Sequence, residues 1–225
     1  WKSYPRNPII IQSQKIVKPP ARSTLDESNG KHIVFKPGDT FDVICHQGKK
    51  EKGECLFGST ISFTESGGMM TKDFNNLNCD EESQRYYEFL EPKETICGDH
   101  SWYQINFGDV TLYEVCFDKT ALVPIYAKYT LTKWTQVTLV TPQSYDLNAR
   151  STPLFAGTDV TTLYNSIKPP KVIPGKLVNA EDFLYPQEIA STFEYINTAP
   201  LYGTINSGNW RGMADSVRYL LQSNY

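Results

Sequence analysis

Short stretches in which apolar and polar residues alternate, rich in β-branched and aromatic side chains, dominate the first half of this chain. His32–Phe35, Phe41–Ile44, Ser59–Phe63, Trp102–Phe107 and Thr111–Val115 carry this signature and predict strands. Lys36-Pro-Gly-Asp39, Ser66-Gly67-Gly68 and Phe107-Gly-Asp109 predict the turns between them. Pro124–Val140 (PIYAKYTLTKWTQVTLV) alternates long enough for two strands, or one long one, of a central sheet. The period changes only near the end. There Trp210, Met213, Val217, Leu220 and Leu221 recur at i, i+3, i+7, i+10 and i+11, the spacing of one face of a helix. Asn206-Ser-Gly-Asn209 precedes that run, so Asn206 is expected where the helix begins. An asparagine there reads either as an N-cap accepting free backbone N–H groups or as a metal ligand at a helix start.

Composition adds that the chain is globular. Its 225 residues suffice for one large domain or two small ones, with 21% charged and 13% aromatic residues. A net charge of −3 argues against a protein basic all over that grips nucleic acid by bulk electrostatics, and leaves a local basic groove open. No run of eighteen or more apolar residues exists, so no membrane-spanning helix and no membrane partner are expected. The chain starts at Trp1 without a charged-then-apolar leader, which reads as a secreted, mature product with its signal peptide removed; no N-x-S/T sequon adds to that. Residues 1–25 read as an arm rich in Pro and basic residues, in which Ile9-Ile10-Ile11 could add an edge strand.

Five cysteines, Cys45, Cys55, Cys79, Cys97 and Cys116, fall in the first half, none as C-x-x-C. Zinc is therefore disfavoured and disulfides are the better reading of a secreted chain. Two bridges and one spare cysteine leave fifteen pairings open, since 5 × 3 = 15. The spare thiol suggests a second polypeptide as partner, including the protein's own cleaved C-terminal part. Sequences of P-loop, dinucleotide, serine-hydrolase and zincin type are absent. Tyr86, Tyr87, Tyr126 and Tyr129 are candidates for base stacking, and more commonly such residues pack.

The stretch Phe193–Val217 (FEYINTAPLYGTINSGNWRGMADSV) carries a more specific signal. Asn197 and Pro200, then Asn206, Gly208 and Trp210, stand at offsets that resemble the DNA/RNA non-specific endonucleases, the ββα-metal nucleases. Their pattern there is N-x-x-P-Q followed by N-x-G-x-W, and the two asparagines are separated here by 206 − 197 = 9 residues. Upstream, the D-R-G-H motif of that family, extended in its insect secreted branch to G-H-L-A-P-x-A-D-F, faces Ile173-Pro-Gly-Lys-Leu-Val-Asn-Ala-Glu-Asp-Phe183. Gly175, Leu177, Asp182 and Phe183 fit. Lys176 stands at the position of the general-base histidine, Ala214 at that of a glutamate eight residues after the metal asparagine, and Leu201 at that of the glutamine.

The resemblance implies an α+β chain: a ββα-metal nuclease-like core (121–225) without the C-terminal part of the usual fold, behind a β-rich, disulfide-bonded region (26–120). It implies Asn206 as a weak or vestigial metal ligand, with Mg²⁺ the possible and weakly held ion, and Lys176 as a catalytic position that has lost its base. An imidazole titrates near 6.5 and an ordinary lysine near 10.4, so lysine is a poor default base, although burial beside other cations can depress its pKa by several units. Lys176, Asn197, Arg150 and Arg211 are then the candidate contacts to nucleic acid, with Lys168 and Lys171 extending a cationic rim. The expected function is a secreted nuclease-like protein that binds nucleic acid or another polyanion without efficient cleavage. The alternatives are an active Mg²⁺-dependent sugar-non-specific endonuclease and a structural or interaction protein of a secretion.

Overall fold

The computed structural model describes residues 9–13, 15–16, 35–44, 50–57, 60–65, 68–73, 88–90, 97–131, 162, 172–183 and 185–223. These residues build a sheet-rich α+β protein. The first sheet is antiparallel and runs β2-β1-β3-β4-β5-β6: β1 Ile9–Gln12, β2 Lys15–Ile16, β3 Thr40–Ile44, β4 Lys50–Phe57, β5 Thr60–Glu65 and β6 Gly68–Asp73. The isoleucine triplet lies inside it between β2 and β3, not at its edge. The second sheet runs β10-β9-β8-β7, from β7 Glu88–Leu90, β8 Ser101–Phe107, β9 Val110–Asp118 and β10 Val123–Lys128.

Alternation along the strands sends neighbouring residues to opposite faces, and each sheet buries apolar residues on both faces over part of its width. Ile10, Phe41, Val43, Cys55, Ile61 and Phe63 close one face of the first sheet. Ile11 and Ile44 point the other way, into a core with Tyr103, Ile105, Phe107, Tyr113, Val115 and Phe117 of the second. The outer face of the second sheet holds Trp102 and the Cys97–Cys116 disulfide. The expected strands at 41–44, 102–107 and 111–115 therefore fall within β3, β8 and β9, and residues 60–63 of the one expected at 59–63 fall within β5. Gly108 makes the turn between β8 and β9 with φ +56°, a conformation that side chains rarely adopt. His32–Val34, Cys45, Cys79, Tyr86, Tyr87 and residues 132–140 lie outside the described residues, as do Arg150, Lys168 and Lys171.

Cys55 is the free thiol among the described residues, and it is buried. Buried in one cluster with Phe41, Ile61 and Phe63, it would need the sheet to open before it met a thiol of another chain.

A two-stranded ribbon follows: β11 Val172–Lys176 and β12 Thr198–Tyr202, antiparallel, with Lys176 opposite Thr198 and Gly175 opposite Ala199. Between them lie a short 3-10 turn at Ala180–Asp182, the helix α1 at Pro186–Ser191 and a second 3-10 turn at Tyr195–Asn197. Pro186 at the first helical position and the Glu188 carboxylate, which accepts the Tyr185 N–H at 3.0 Å, start α1. The Tyr113 hydroxyl donates to the Ser191 carbonyl at 2.6 Å and joins α1 to β9. The chain then enters the terminal helix α2, continuous through Gly203–Ile205, a π-helical turn at Asn206–Trp210, and Arg211–Ser223.

Among the described residues no helix is long and apolar enough to cross a membrane.

Candidate functional site

The motif residues meet where α2 crosses the ribbon. Asn197 is fully buried, and its side chain acts as a splint. Its Oδ1 accepts the Val178 N–H at 2.9 Å, while its Nδ2 donates to the carbonyls of Val178 and Thr192, each at 2.9 Å. Its main-chain carbonyl accepts the Leu177 N–H at 3.0 Å. With every amide atom engaged inside the protein, Asn197 fixes the chain that leaves β11 and lies away from solvent.

Asn206 does not cap the helix. The helix begins at Gly203 with Tyr202 as the flanking residue, and Asn206 already has helical dihedrals of φ −61° and ψ −47°. An N-cap takes an extended conformation. Its side chain instead reaches the ribbon: the Oδ1 lies 3.1 Å from where a Cβ on Gly175 would stand, beside Leu201. Glycine is what allows this approach. The π-helical turn widens the helix across Asn206–Trp210, a distortion that recurs at functional positions in helices.

One turn on, Trp210 Nε1 donates to the Lys176 carbonyl at 2.9 Å. The inward line of α2 is thus Asn206, Trp210, Ala214 and Arg218, all half-buried, at successive spacings of four. The apolar stripe is not that line: Met213 is 52%, Val217 39% and Leu220 54% exposed. Polar anchors, not burial of the stripe, hold this helix in place.

The far anchor is Arg218. Its Nε donates to Asp182 Oδ1 at 2.7 Å, and its Nη1 reaches Glu181 at 2.9 Å and Asp215 at 2.8 Å. The second oxygen of Asp182 accepts the Tyr129 hydroxyl at 2.6 Å, which raises the phenol's pKa beyond the effect of its burial. Asp182 is 3% exposed, so a buried carboxylate is held by one guanidinium and one phenol. The sequence marked Asp182 through its motif but not its partner. A step of four from Asn206 through Trp210 and Ala214 arrives at Arg218, but nothing in the sequence pairs it with Asp182.

Lys176 stands apart from these pairs. Gly175 and Lys176 leave opposite faces of β11, so the lysine side chain departs from the face away from Asn206. Its Nζ lies over the Phe193 ring, 2.7 Å from the centroid. Among the described residues no carboxylate pairs with it, and burial alone pulls its pKa down to about 7. The amine is therefore partly neutral at neutral pH. Arg211 is exposed and already faces Asp215 at 3.7 Å. Tyr129 is committed to Asp182, while Tyr126 is 40% exposed with its ring 6.1 Å from that of Trp102.

For a metal the donors are few. Asn206 offers one neutral oxygen, Asp215 is turned to Arg218, and among the described residues no group of three His, Cys, Asp or Glu side chains could hold an ion. A hard cation such as Mg²⁺ would have to draw nearly all its oxygens from water and phosphate. Among the described residues the donor set is too small to hold such an ion by itself.

An α+β protein with a helix keyed through Asn206 and Trp210 onto a glycine-bearing strand is thereby defined. The chain belongs to the DNA/RNA non-specific endonuclease family, whose sequence profile matches residues 101–225, from β8 to the end. A salivary endonuclease of Lutzomyia longipalpis is 24% identical over 243 aligned residues, which cover 97% of this chain and 56% of that protein. The chain thus spans little more than half the length of that relative. No solved structure gives a significant match.

Proposed function

We propose that this chain is a secreted, nuclease-like protein that binds nucleic acid or a similar polyanion and cleaves it poorly. The observation that carries this reading is the split within the motif. The elements that shape the site are intact, namely Asn197 as splint, Gly175 against Asn206, and Trp210 on Lys176. The groups expected to do chemistry are changed: lysine at 176 in place of a histidine, and alanine at 214 in place of a glutamate. Secretion is supported by the salivary origin of the relative and by the Cys97–Cys116 disulfide.

Lys176 serves in this reading as a cation within the motif. With no carboxylate pairing it among the described residues, its ammonium form can meet a phosphate. Arg150, and Arg211 beyond its pair with Asp215, are further contacts of the same kind. Asn197 contributes indirectly, by holding the strand end.

A second reading is favoured by one observation. With its pKa near 7, Lys176 has the proton affinity of a general base at neutral pH, which supports slow cleavage of DNA or RNA. Binding of labelled double-stranded DNA and RNA across a salt series, with Mg²⁺ and with EDTA, tests both. The expected result is salt-sensitive binding with intact substrate. Mg²⁺-dependent cleavage would favour the second reading, and no binding at low salt would defeat both. Lys176→His with Ala214→Glu is expected to raise cleavage if only those groups decayed.

A further inference from the structure

We propose that Lys176 is a Schiff-base nucleophile toward abasic sites in DNA, so that this chain nicks damaged strands by elimination and not by hydrolysis. The inference rests on the nucleic-acid reading above and on the placement of one amine. Lys176 Nζ lies over Phe193 with no carboxylate pairing among the described residues. Its main chain is pinned on both sides, by Trp210 Nε1 on its own carbonyl and by the Leu177 N–H on Asn197. An amine projected from a fixed backbone into a half-buried, ring-lined place is poised to react with a carbonyl carbon. Burial supports this by leaving part of the amine unprotonated at neutral pH.

The partner follows from chemistry. Intact DNA offers no aldehyde. Loss of a base leaves a deoxyribose that opens to an aldehyde at C1′, and the flat Phe193 ring gives that sugar an apolar surface. The Lys176 nitrogen adds to C1′, and the carbonyl oxygen departs as water, leaving a protonated imine. A C2′ proton then passes to water and the C3′–O bond breaks, releasing the downstream strand with its 5′-phosphate. Water hydrolyses the imine, returning the lysine and an unsaturated aldehyde on the upstream strand. No electron donor or acceptor is needed.

The test uses the full chain, EDTA, sodium borohydride to reduce the imine, and a duplex with one abasic site beside the same duplex intact. A covalent protein–DNA band is expected with the abasic duplex alone, and peptide mapping of the wild-type adduct should place the DNA on Lys176. Lys176→Arg should lower the trapped band at least tenfold, with a melting curve showing that the variant is folded. Binding of intact duplex without a trapped band would overturn the inference and leave the binding reading standing. An adduct mapped to other lysines would also overturn it. Absence of any DNA binding would remove both.

Discussion

The indole N–H of Trp210 donates to the main-chain carbonyl of Lys176 across 2.9 Å, tying α2 to the strand that bears the motif lysine. Trp210→Phe keeps most of the ring and deletes the donor. The carbonyl is left without that partner, a loss of about 1–3 kcal/mol. For a chain of this size the melting temperature should fall by roughly 2–4 °C per kcal/mol. Nucleic-acid binding should weaken with it, because the candidate contact Arg211 rides on the same helix. A calorimetric scan beside a binding titration checks both; an unchanged melting temperature would show that the bond does not hold the helix.

Gly175 is the other side of that contact. A Cβ there would stand 2.8 Å from Leu201 Cγ and 3.1 Å from Asn206 Oδ1. Leu201 or α2 must then move, and overpacking of this kind costs about 1–3 kcal/mol. Gly175→Ala should lower stability by that amount and impair binding. Adding Leu201→Ala to it should recover part of the stability by making room, which denaturant titration of the three variants would show.

The buried ion pair sets a larger effect. Removing Arg218 leaves Asp182 buried with only Tyr129, a situation that costs about 3–5 kcal/mol. Arg218→Ala should therefore destabilise far more than Tyr129→Phe, for which about 1 kcal/mol is expected. Comparable losses in the two variants would mean that the guanidinium is not the principal partner of Asp182.

Much of the second sheet was legible because its signal is local. Trp102–Phe107 and Thr111–Val115 alternate, and the Gly108 turn between them needs a positive φ. β4 was not legible. Its sequence KEKGECLF opens with three consecutive charges and a glycine, which gives no strand signal, and it pairs on both sides with β3 and β5, which supply the apolar residues. The helix was read at the right place, but its working face was not. Hydrophobic spacing selects Met213, Val217 and Leu220, which stand exposed, whereas hydrogen bonds to β11 and to the Asp182 turn orient α2 through Trp210 and Arg218. Such polar anchors pair residues 34 to 36 positions apart and leave no periodic trace. The lowered pKa of Lys176 was equally hidden, since it depends on burial.

The Cys97–Cys116 bridge closes a loop with a sequence separation of 19. In the chain-entropy account a loop of this length contributes roughly 3 kcal/mol through the unfolded state. Replacing both cysteines with serine should lower the denaturation midpoint accordingly, with Trp102 fluorescence reporting any loosening of the outer face of the second sheet. The buried Cys55 thiol should stay unreactive to a thiol reagent until the protein unfolds. Rapid labelling in the native state would contradict its burial in the cluster of Phe41, Ile61 and Phe63.

Lys176 makes stability depend on pH in a direction that its burial fixes. Its folded pKa is about 7, below the 10.5 of the unconstrained side chain. Between those values the unfolded chain binds a proton that the folded chain does not, so stability rises with pH across that window. Below pH 7 the amine is charged in both states and the folded protein bears the whole cost of a half-buried charge. Lys176→Met keeps the length of the side chain and removes the charge. It should stabilise the protein at pH 6 by about 1–2 kcal/mol, less than the full linkage value because a half-buried amine retains part of its hydration. The advantage should shrink steadily above pH 7 and vanish near pH 10.5. Denaturation midpoints of both proteins from pH 6 to pH 10 measure it. A constant difference over that range would mean that the amine keeps an ordinary pKa, which would also weaken the case for Lys176 as base or nucleophile.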